Sequence, residues 1–165
     1  MNYPTVTQVI DFIYGDWKKN VNPVALEKAR QEGVKTHEEI SKALTGETPQ
    51  VLENSALKWL KKYEKQLGKP LHIEKRFFSD ALGLSGQPDL VTEHALVDWK
   101  RTLNKNNVRL QLAGYSLLLK ANNVEVDAWI AFDTTKGRAY NLTDRKAEGE
   151  FLKLLRKYKE EAYDY

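Results

Sequence analysis

The chain has 165 residues, 41% hydrophobic and 30% charged, a balance that fits a folded globular domain and excludes a disordered one. It contains no cysteine, which excludes disulfide bridges, thiolate zinc sites and iron–sulfur clusters. The net charge of +3 is compatible with nucleic-acid binding without indicating it. With neither a secretory leader pattern nor an apolar run of about 20 residues, the sequence favours an intracellular, cytoplasmic protein.

The N-terminal residues, 1–68, are predicted to form a helical portion. Thr5-Val6-Thr7-Gln8 has the form of a capping box that starts a first helix, and Asn22-Pro23 is typical of a second helix start. Gly33 is expected to interrupt the second helix. Thr36-His37 would then open a third helix and place the histidine in its first turn.

After a further helix over residues 52–68, the period changes to the two-residue alternation of strands, and a sheet core is predicted over 69–143. The strands expected there are Leu71–Ser79, Gln87–Thr92, Ala95–Arg101, Val126–Phe132 and Arg138–Leu142. The first three are expected to pair as a meander, with a turn at Gly83–Gly86.

Two more helices complete the predicted elements. A polar loop over Asn104–Asn107 leads into a helix over 109–120, and a C-terminal helix follows over 144–165. The order of elements predicts a single domain, 1–165, of the α+β class in an α/β/α arrangement. Its central mixed sheet would be flanked by helices, with the N-terminal helical portion packed on it.

Asp89 and Asp98 are predicted on adjacent strands about 4.8 Å apart, so their carboxylates can converge on one point. Lys100, two residues beyond Asp98, projects from the same strand face. Converging carboxylates repel unless a proton or a cation lies between them, which indicates a Mg²⁺ site with the lysine beside the water that it activates. An Asp–Lys ion pair on a solvated edge strand is the equally weighted alternative.

Three further side chains add to this candidate site. Glu74, predicted mid-strand among apolar neighbours, would complete an acidic metal-binding face, although an exposed glutamate paired with a neighbouring cation fits the same pattern. Gln111 and Tyr115 are four residues apart on one helix face, where their hydrogen-bonding tips could meet a phosphate or orient Lys100. Core packing is the alternative for Tyr115.

The order of these motifs resembles the RecB-like branch of the PD-(D/E)XK nuclease superfamily. Pro88-Asp89 matches the PD element, Asp98-Trp99-Lys100 the (D/E)XK element, and Gln111–Tyr115 the QxxxY motif of that branch. Gly33–His37 has the form of the helical segment that carries a metal-ligand histidine in the branch, and Glu74 matches its additional strand glutamate. Within the branch, the chain is similar to the mitochondrial genome maintenance exonucleases and to phage-type exonucleases.

The resemblance implies a restriction-endonuclease-like core that hydrolyses phosphodiester bonds with Mg²⁺ or Mn²⁺. Asp89 and Asp98 would bind the metal, joined by the backbone carbonyl of Trp99, while Lys100 would position and activate the attacking water. His37 would be a further ligand, and its neutral imidazole suits Mn²⁺ better than Mg²⁺. The alternative for His37 is a surface position in the first turn of its helix.

The nucleic acid is expected to lie along a basic run that borders this site. Arg101, Lys105 and Arg109 are suited to contact phosphates. Four aromatic residues of the helical portion could stack on bases, although their helical spacing favours core packing. They are Tyr3, Tyr14, Trp17 and Trp59.

The function favoured by the sequence is a DNA exonuclease in replication, recombination or repair, in a bacterial or phage-infected cell. Because the sequence has no GK[ST] loop of a helicase motor, the protein would act alone or with a helicase or recombination partner. An endonuclease on the same scaffold is the alternative enzyme. A nucleic-acid-binding module with a decayed site is the alternative outside enzymes, against which the intact Asp89, Asp98 and Lys100 argue.

Overall fold

The computed structural model describes residues 2–47 and 54–162, and it has the predicted α+β architecture, a mixed sheet flanked by helices. The strands in these residues are β1 Pro70–Ile73, β2 Phe77–Ser79, β3 Leu84–Gly86, β4 Leu90–Thr92, β5 Ala95–Lys100, β6 Ala128–Asp133 and β7 Arg138–Asn141. Five of them form the main sheet in the order β1-β4-β5-β6-β7, and β2 and β3 form a separate antiparallel hairpin.

The predicted meander is confirmed, because β4 pairs antiparallel with both β1 and β5. On its other side β5 pairs in parallel with β6, in a register that runs from Ala95 opposite Ala128 to Lys100 opposite Asp133. β5 is therefore a central strand, and its residues from Ala95 to Trp99 are all buried. Asp98 and Lys100 thus lie at the carboxyl end of a strand that is paired on both sides.

The helices cover both faces of the sheet. They are α1 Val6–Tyr14, α2 Pro23–Leu44, α3 Ser55–Lys62, α4 Glu64–Leu67, α5 Lys105–Ala121 and α6 Lys146–Ala162, with a 3-10 helix over Gly15–Asn20. One hydrophobic cluster joins α1, α5 and α6 to the sheet, and a second joins α2, α3 and α4 to its other face. None of the helices in the described ranges combines the length and the apolar character needed to cross a membrane.

α1 is fixed closely against α5 and α6. The predicted capping box is confirmed: the Thr5 hydroxyl accepts from the Gln8 N–H at 3.1 Å, and the Gln8 side chain accepts from the Thr5 N–H at 2.9 Å. Gly114 of α5 lets the three helices approach, since a Cβ there would lie 2.8 Å from the Phe151 ring and 2.9 Å from Val6. α1 and α5 therefore lie side by side, and together they border the candidate site.

The predicted helix break at Gly33 is wrong, because α2 continues without interruption to Leu44. The expected start at Asn22 is confirmed, since its side chain accepts from two backbone N–H groups of the first turn. A glycine inside a helix costs only about 1 kcal/mol relative to alanine, which a long helix tolerates. Thr36 caps nothing and donates its hydroxyl to the Glu32 carbonyl at 2.9 Å, so His37 lies in the second half of α2.

The predicted strand over Leu71–Ser79 is also wrong in its continuity. The chain leaves β1 at Glu74, whose φ of +49° is left-handed, and the following residues enter the hairpin of β2 and β3. The turn predicted at Gly83–Gly86 lies earlier, over residues 80–83, where the Gly83 N–H donates to the Asp80 carbonyl at 3.2 Å and Gly83 has a φ of +60°. Leu84–Gly86 forms β3. Alternating polarity alone gave no sign that the strand would break.

The predicted polar loop over Asn104–Asn107 is the first turn of α5. Asn104 is the N-cap, and its side chain accepts from the Asn107 N–H at 3.1 Å. Asparagine is a favoured cap, which explains why a polar run starts the helix. The helix expected over 52–68 is divided at Tyr63 into α3 and α4, and residues 48–53 lie outside the described ranges.

Candidate metal centre

Asp98 and Lys100 lie on the same face of β5, as their two-residue spacing predicts, with the Lys100 Nζ 3.0 Å from the Asp98 Oδ2. Asp98 is only 2% exposed. Because β5 lies between β4 and β6, the alternative of an ion pair on a solvated edge strand is wrong. The Lys100 side chain is 26% exposed, but a carboxylate as deeply buried as that of Asp98 needs further compensation, which its neighbours must supply.

Asp89 lies just before β4 and is held by β5 and by α2. Its Oδ2 accepts from the Trp99 backbone N–H at 2.8 Å, and its Oδ1 lies 3.0 Å from the His37 Nδ1. Its own carbonyl accepts from the Glu74 N–H at 3.0 Å, so the end of β1 and the start of β4 are joined at this residue. The backbone therefore fixes the Asp89 carboxylate beside the end of β5.

His37 reaches the site from α2. It precedes Trp99, its partner in β5, by 62 residues in the sequence. Its Nε2 lies 3.0 Å from the Trp99 carbonyl oxygen, and its Nδ1 faces Asp89. Because both ring nitrogens face acceptors, the doubly protonated imidazolium satisfies both contacts. Burial alone would lower the pKa of His37, but the hydrogen bond and the charge of Asp89 outweigh it and raise the pKa to about 9.

Glu74 also enters this cluster, although not from the middle of a strand as predicted. It lies after β1 in the left-handed conformation, and one carboxylate oxygen lies within 4.8 Å of ligand atoms of His37 and Asp89. Burial, followed by the charge of Asp89, raises the pKa of Glu74. A non-glycine residue in this conformation is uncommon, and residues in strained backbone conformations cluster at active sites and ligand-binding positions.

The ionisable groups of the site shift one another's pKa values. Burial, then the negative charge of Asp89, raises the pKa of Asp98. Burial acts in the same direction on Asp89, but the hydrogen bonds from His37 and Asp98 and the charges of His37 and Lys100 together outweigh it and hold the pKa of Asp89 below its usual range. Burial would lower the pKa of Lys100, yet the charges of Asp98 and Asp89 keep it above its ordinary value. Lys100 is therefore an ammonium in this structure.

These residues fit a divalent cation. The Asp98 Oδ2 is buried and, despite the nearby Lys100, has no partner in hydrogen-bond geometry, which is the condition of an oxygen that can coordinate a metal. The three ligand atoms that lie within 4.8 Å of one another belong to His37, Glu74 and Asp89, and Asp98 is not part of this group. Carboxylate, carbonyl and imidazole ligands suit Mg²⁺ and Mn²⁺. Protonated His37 and Lys100 supply positive charge beside the carboxylates, and this charge stands in for the charge that a cation would bring.

The model of the PD-(D/E)XK nuclease superfamily matches residues 16–164 of the chain. The chain belongs to this superfamily. A search of curated proteins finds no match to the sequence. The family match agrees with the acidic cluster, because nucleases of this superfamily use divalent metals. It covers the superfamily as a whole, so the RecB-like branch and the roles of individual residues stay predictions.

In this nuclease fold, the predicted pair on α5 is joined directly. The Gln111 Nε2 donates to the Tyr115 hydroxyl at 3.1 Å and lies 3.3 Å from the Thr7 hydroxyl of α1. Tyr115 is buried, and burial, then the charge of Asp98, raises its pKa. The pair thus links α1 to the side of β5 that carries Asp98. Thr7 was not singled out by sequence, since it is an ordinary member of the capping box.

The basic run has protein partners instead of forming one open patch. Arg101 is paired with Glu32 of α2, and the Lys105 ammonium lies 4.4 Å from the centroid of the Tyr140 ring. Arg109 is engaged by two carboxylates, which lie 3.0 and 2.7 Å from its guanidinium. They belong to Asp144 and Glu150. Phosphate contact by these residues stays a prediction, and for Arg109 it would require the loss of two ion pairs.

The four aromatic residues differ in their surroundings. Trp59 packs 5.2 Å from the Phe132 ring, so core packing is confirmed for it, and the Tyr3 hydroxyl donates to Asp80 at 2.8 Å. For Tyr14 and Trp17 the core-packing interpretation is wrong, since they are 38% and 54% exposed. Tyr14 is the last residue of α1, beyond its buried Val6, Val9 and Ile10, and the 3-10 helix that carries Trp17 has no buried residue.

Proposed function

We propose that this protein is a divalent-metal-dependent deoxyribonuclease of the RecB-like branch, acting as an exonuclease on single-stranded or end-containing DNA in replication, recombination or repair. The observation that carries the proposal is the position of His37. One ring nitrogen faces Asp89 and the other the Trp99 carbonyl, each at 3.0 Å. A helix-borne histidine between the PD aspartate and the (D/E)XK strand is what the resemblance to this branch leads us to expect.

The residues that would hold the cation are His37, Glu74, Asp89, Asp98 and the carbonyl of Trp99. When bound, Mg²⁺ or Mn²⁺ lowers the pKa of a coordinated water and offsets the charge on the scissile phosphate. Asp89 is already fixed for this role by the Trp99 N–H, and Asp98 by its place within the sheet.

Lys100 has two roles in this proposal. As an ammonium it can donate to a phosphate oxygen and so orient the scissile group. Its raised pKa comes from Asp98 and Asp89, so neutralising these carboxylates lowers it towards the range in which Lys100 can accept a proton from the attacking water. The lysine therefore becomes a better base only in the loaded site.

The proposed preference for DNA ends rests on the helices that border the candidate metal centre on both sides. α2 crosses beside the end of β5, where His37 and the Arg101–Glu32 pair contact it. On the other side, α1 and α5 border the face that carries Lys100. A site enclosed on both sides admits a flexible single strand more easily than a rigid duplex. The enzyme would act inside the cell, alone or with a helicase or recombination partner that supplies strands.

The test is a time course on three labelled substrates, linear single strands, blunt duplex and covalently closed single-stranded circles, with Mg²⁺ or Mn²⁺. We expect linear single strands to be degraded fastest, blunt duplex more slowly and circles hardly at all. Asp98→Asn and addition of a chelator serve as controls that should abolish all cleavage. Rapid cutting of circles would replace the exonuclease with an endonuclease. Binding of DNA without hydrolysis under any metal would make the protein a binding module.

A further inference from the structure

A cleft of about 280 Å³ opens beside the candidate metal centre, between α1 with its 3-10 extension and the beginning of α5. Lys100 and Gln111 line the end of the cleft nearest the carboxylates. Tyr14 and Trp17 line it farther along α1. The cleft is thus continuous with the face of β5 on which the phosphate would be hydrolysed.

The two aromatic side chains in the cleft are exposed, and the Lys18 ammonium lies over the Trp17 ring at 6.0 Å from its centroid. Trp17 is 54% and Tyr14 is 38% exposed, and α1 is anchored without them by the buried Val6, Val9 and Ile10. Exposed single aromatic residues are common on protein surfaces. Tyr14 and Trp17 differ from such single residues because both line one cleft that leads to the candidate metal centre. Aromatic rings are the surfaces on which unpaired bases stack.

The length of the cleft fits a short piece of one strand. Thr7, which touches Gln111, and Tyr14 are seven residues apart on α1, which at about 1.5 Å per residue is about 10 Å. Phosphates along one strand are spaced by about 3.4 Å of axis in a stacked helix, so this distance corresponds to about two or three nucleotides. Bases at that distance from the scissile phosphate would lie beside Tyr14 and Trp17.

The other lining groups suit a nucleotide chain without a fixed sequence. Among the described lining residues Asp11 is the only carboxylate, and Lys18 lies 2.9 Å from it and neutralises its charge. The floor near α5 adds amide side chains, and Lys100 supplies a positive charge at the inner end. Stacking surfaces with few directional groups are typical of sequence-tolerant single-strand binding.

We propose that this cleft binds two or three unpaired nucleotides next to the scissile phosphate, with the bases stacked on Tyr14 and Trp17. The proposal rests on the proposed function, because it takes the phosphate at the centre as its starting point. The substrate of that centre is then the unpaired end of a strand. α1 and its extension are then the part of the molecule that selects single strands over duplex.

The first experiment measures binding apart from cleavage. Full-length protein is titrated with fluorescent oligothymidylate of about ten nucleotides, a length within the usual site size of single-strand binding proteins, with Ca²⁺ in place of Mg²⁺. We expect Trp17→Ala to weaken binding between about fivefold and a hundredfold, the range of one lost base–aromatic stack, and Trp17→Phe to restore most of it. Phe78→Ala is the matched control, since Phe78 is also 54% exposed but does not line this cleft, and its affinity should equal that of the wild type.

The second experiment locates the contact along the strand. Single abasic positions are introduced one by one on both sides of the cleaved bond of a linear oligonucleotide. We expect the loss of affinity to be confined to positions about two or three nucleotides away, on one side, and to disappear in Trp17→Ala. Losses spread evenly along the strand, or Trp17→Ala binding as tightly as Phe78→Ala, would overturn the proposal.

Failure of this inference can be told apart from failure of the proposed function. Hydrolysis of a small chromogenic phosphodiester by the wild-type protein with Mn²⁺ tests the metal centre alone. If the wild type hydrolyses it while Trp17→Ala and Phe78→Ala bind DNA equally, the nuclease assignment holds and the cleft assignment is wrong. If the wild type hydrolyses no phosphodiester but Trp17→Ala still loses single-strand affinity, the cleft assignment holds and the nuclease assignment is wrong.

Discussion

The two sides of the candidate metal centre are held in very different ways. On the sheet side, Asp98 lies in a strand that is paired with both of its neighbours, and Asp89 is fixed by the backbone of that strand. On the helix side, His37 belongs to α2, which in the described chain buries only Ile40 and Ala43 of its 22 residues. The carboxylates are therefore part of the core, while the histidine is part of a lightly anchored helix.

This difference indicates how the site works as a unit. On the sheet side, Asp89 and Asp98 are buried close together, and their mutual repulsion destabilises the folded state. On the helix side, the positive imidazolium of His37 offsets this repulsion. If His37 is a ligand as proposed, a cation that takes over this role would have to displace the proton on its ring. We therefore expect changes on the sheet side and on the helix side to have separable effects.

The largest effect is expected from Asp98→Asn on the sheet side. Loss of a metal-ligand charge should reduce cleavage at least about a thousandfold, since the metal supplies several kcal/mol of stabilisation to the transition state. The pKa of Asp98 is raised, so the folded state binds more protons and its stability falls as pH rises above the ordinary carboxyl range. The neutral variant should therefore be at least as stable as the wild type in thermal unfolding with chelator at pH 7. Cleavage near the wild-type rate would remove Asp98 from the site.

Lys100→Ala is expected to have the next largest effect. Proton transfer by a positioned side chain contributes about a hundredfold or more, and this role belongs to the transition state. Single-turnover cleavage should therefore fall far more than DNA affinity measured in Ca²⁺. A large loss of affinity with an unchanged rate would make Lys100 a phosphate contact without a part in the chemistry.

The same contrast explains how much the sequence could predict. Asp98 and Lys100 were correctly placed on one face, because strand alternation depends only on neighbours two residues apart. The pairing of Gln111 with Tyr115 followed from helical spacing in the same way. These are local relations, and the strand or helix that carries them is long and strongly patterned.

The helix side could not be predicted with the same success. Gly33 and Thr36 have the local pattern of a helix boundary, but α2 continues through them and carries His37 to the sheet. Glu74 was expected within a strand and instead lies at a left-handed turn. Both positions are determined by contacts with Asp89, which is far away in the sequence. The ion pair between Arg101 and Glu32 also joins residues that are far apart in the sequence, so no local pattern predicts it.

The dependence of metal affinity on pH should sharpen the comparison. His37, with a pKa raised to about 9, is protonated at neutral pH, whereas a metal ligand must be neutral. We expect the apparent affinity for Mg²⁺ to rise at least about tenfold per unit from about pH 6.5 to about pH 8, since the proton on His37 is displaced and the pKa of Asp98 is raised as well. Titration calorimetry in two buffers of different ionisation enthalpy should show this proton. An affinity that does not change with pH would mean that His37 keeps its proton when metal binds.

His37→Ala should lower metal affinity at least about tenfold at alkaline pH, where the imidazole is free to coordinate. At neutral pH the loss should be smaller, because the wild type must first release a proton. His94→Ala is the matched control, since His94 lies 3.6 Å from Asp127, outside the acidic cluster, and its metal titration should follow the wild type. Superimposed titrations of His37→Ala and the wild type would assign His37 a structural role only.

The smallest expected effect concerns the exposed pair that ties α2 to the end of β5. Glu32 holds the Arg101 guanidinium, and the hydrogen bond from Arg101, followed by its charge, lowers the pKa of Glu32. Glu32→Gln removes the competing carboxylate and leaves Arg101 available to a phosphate. We expect single-strand affinity to rise severalfold at low salt and the salt dependence to steepen by about 0.7 in a plot of log K against log salt, the slope for one added phosphate contact. Arg101→Ala in the same background should remove both changes. If Glu32→Gln leaves the slope unaltered while Arg101→Ala weakens metal binding, the pair serves to hold α2 over the sheet, and the basic run does not guide DNA at this point.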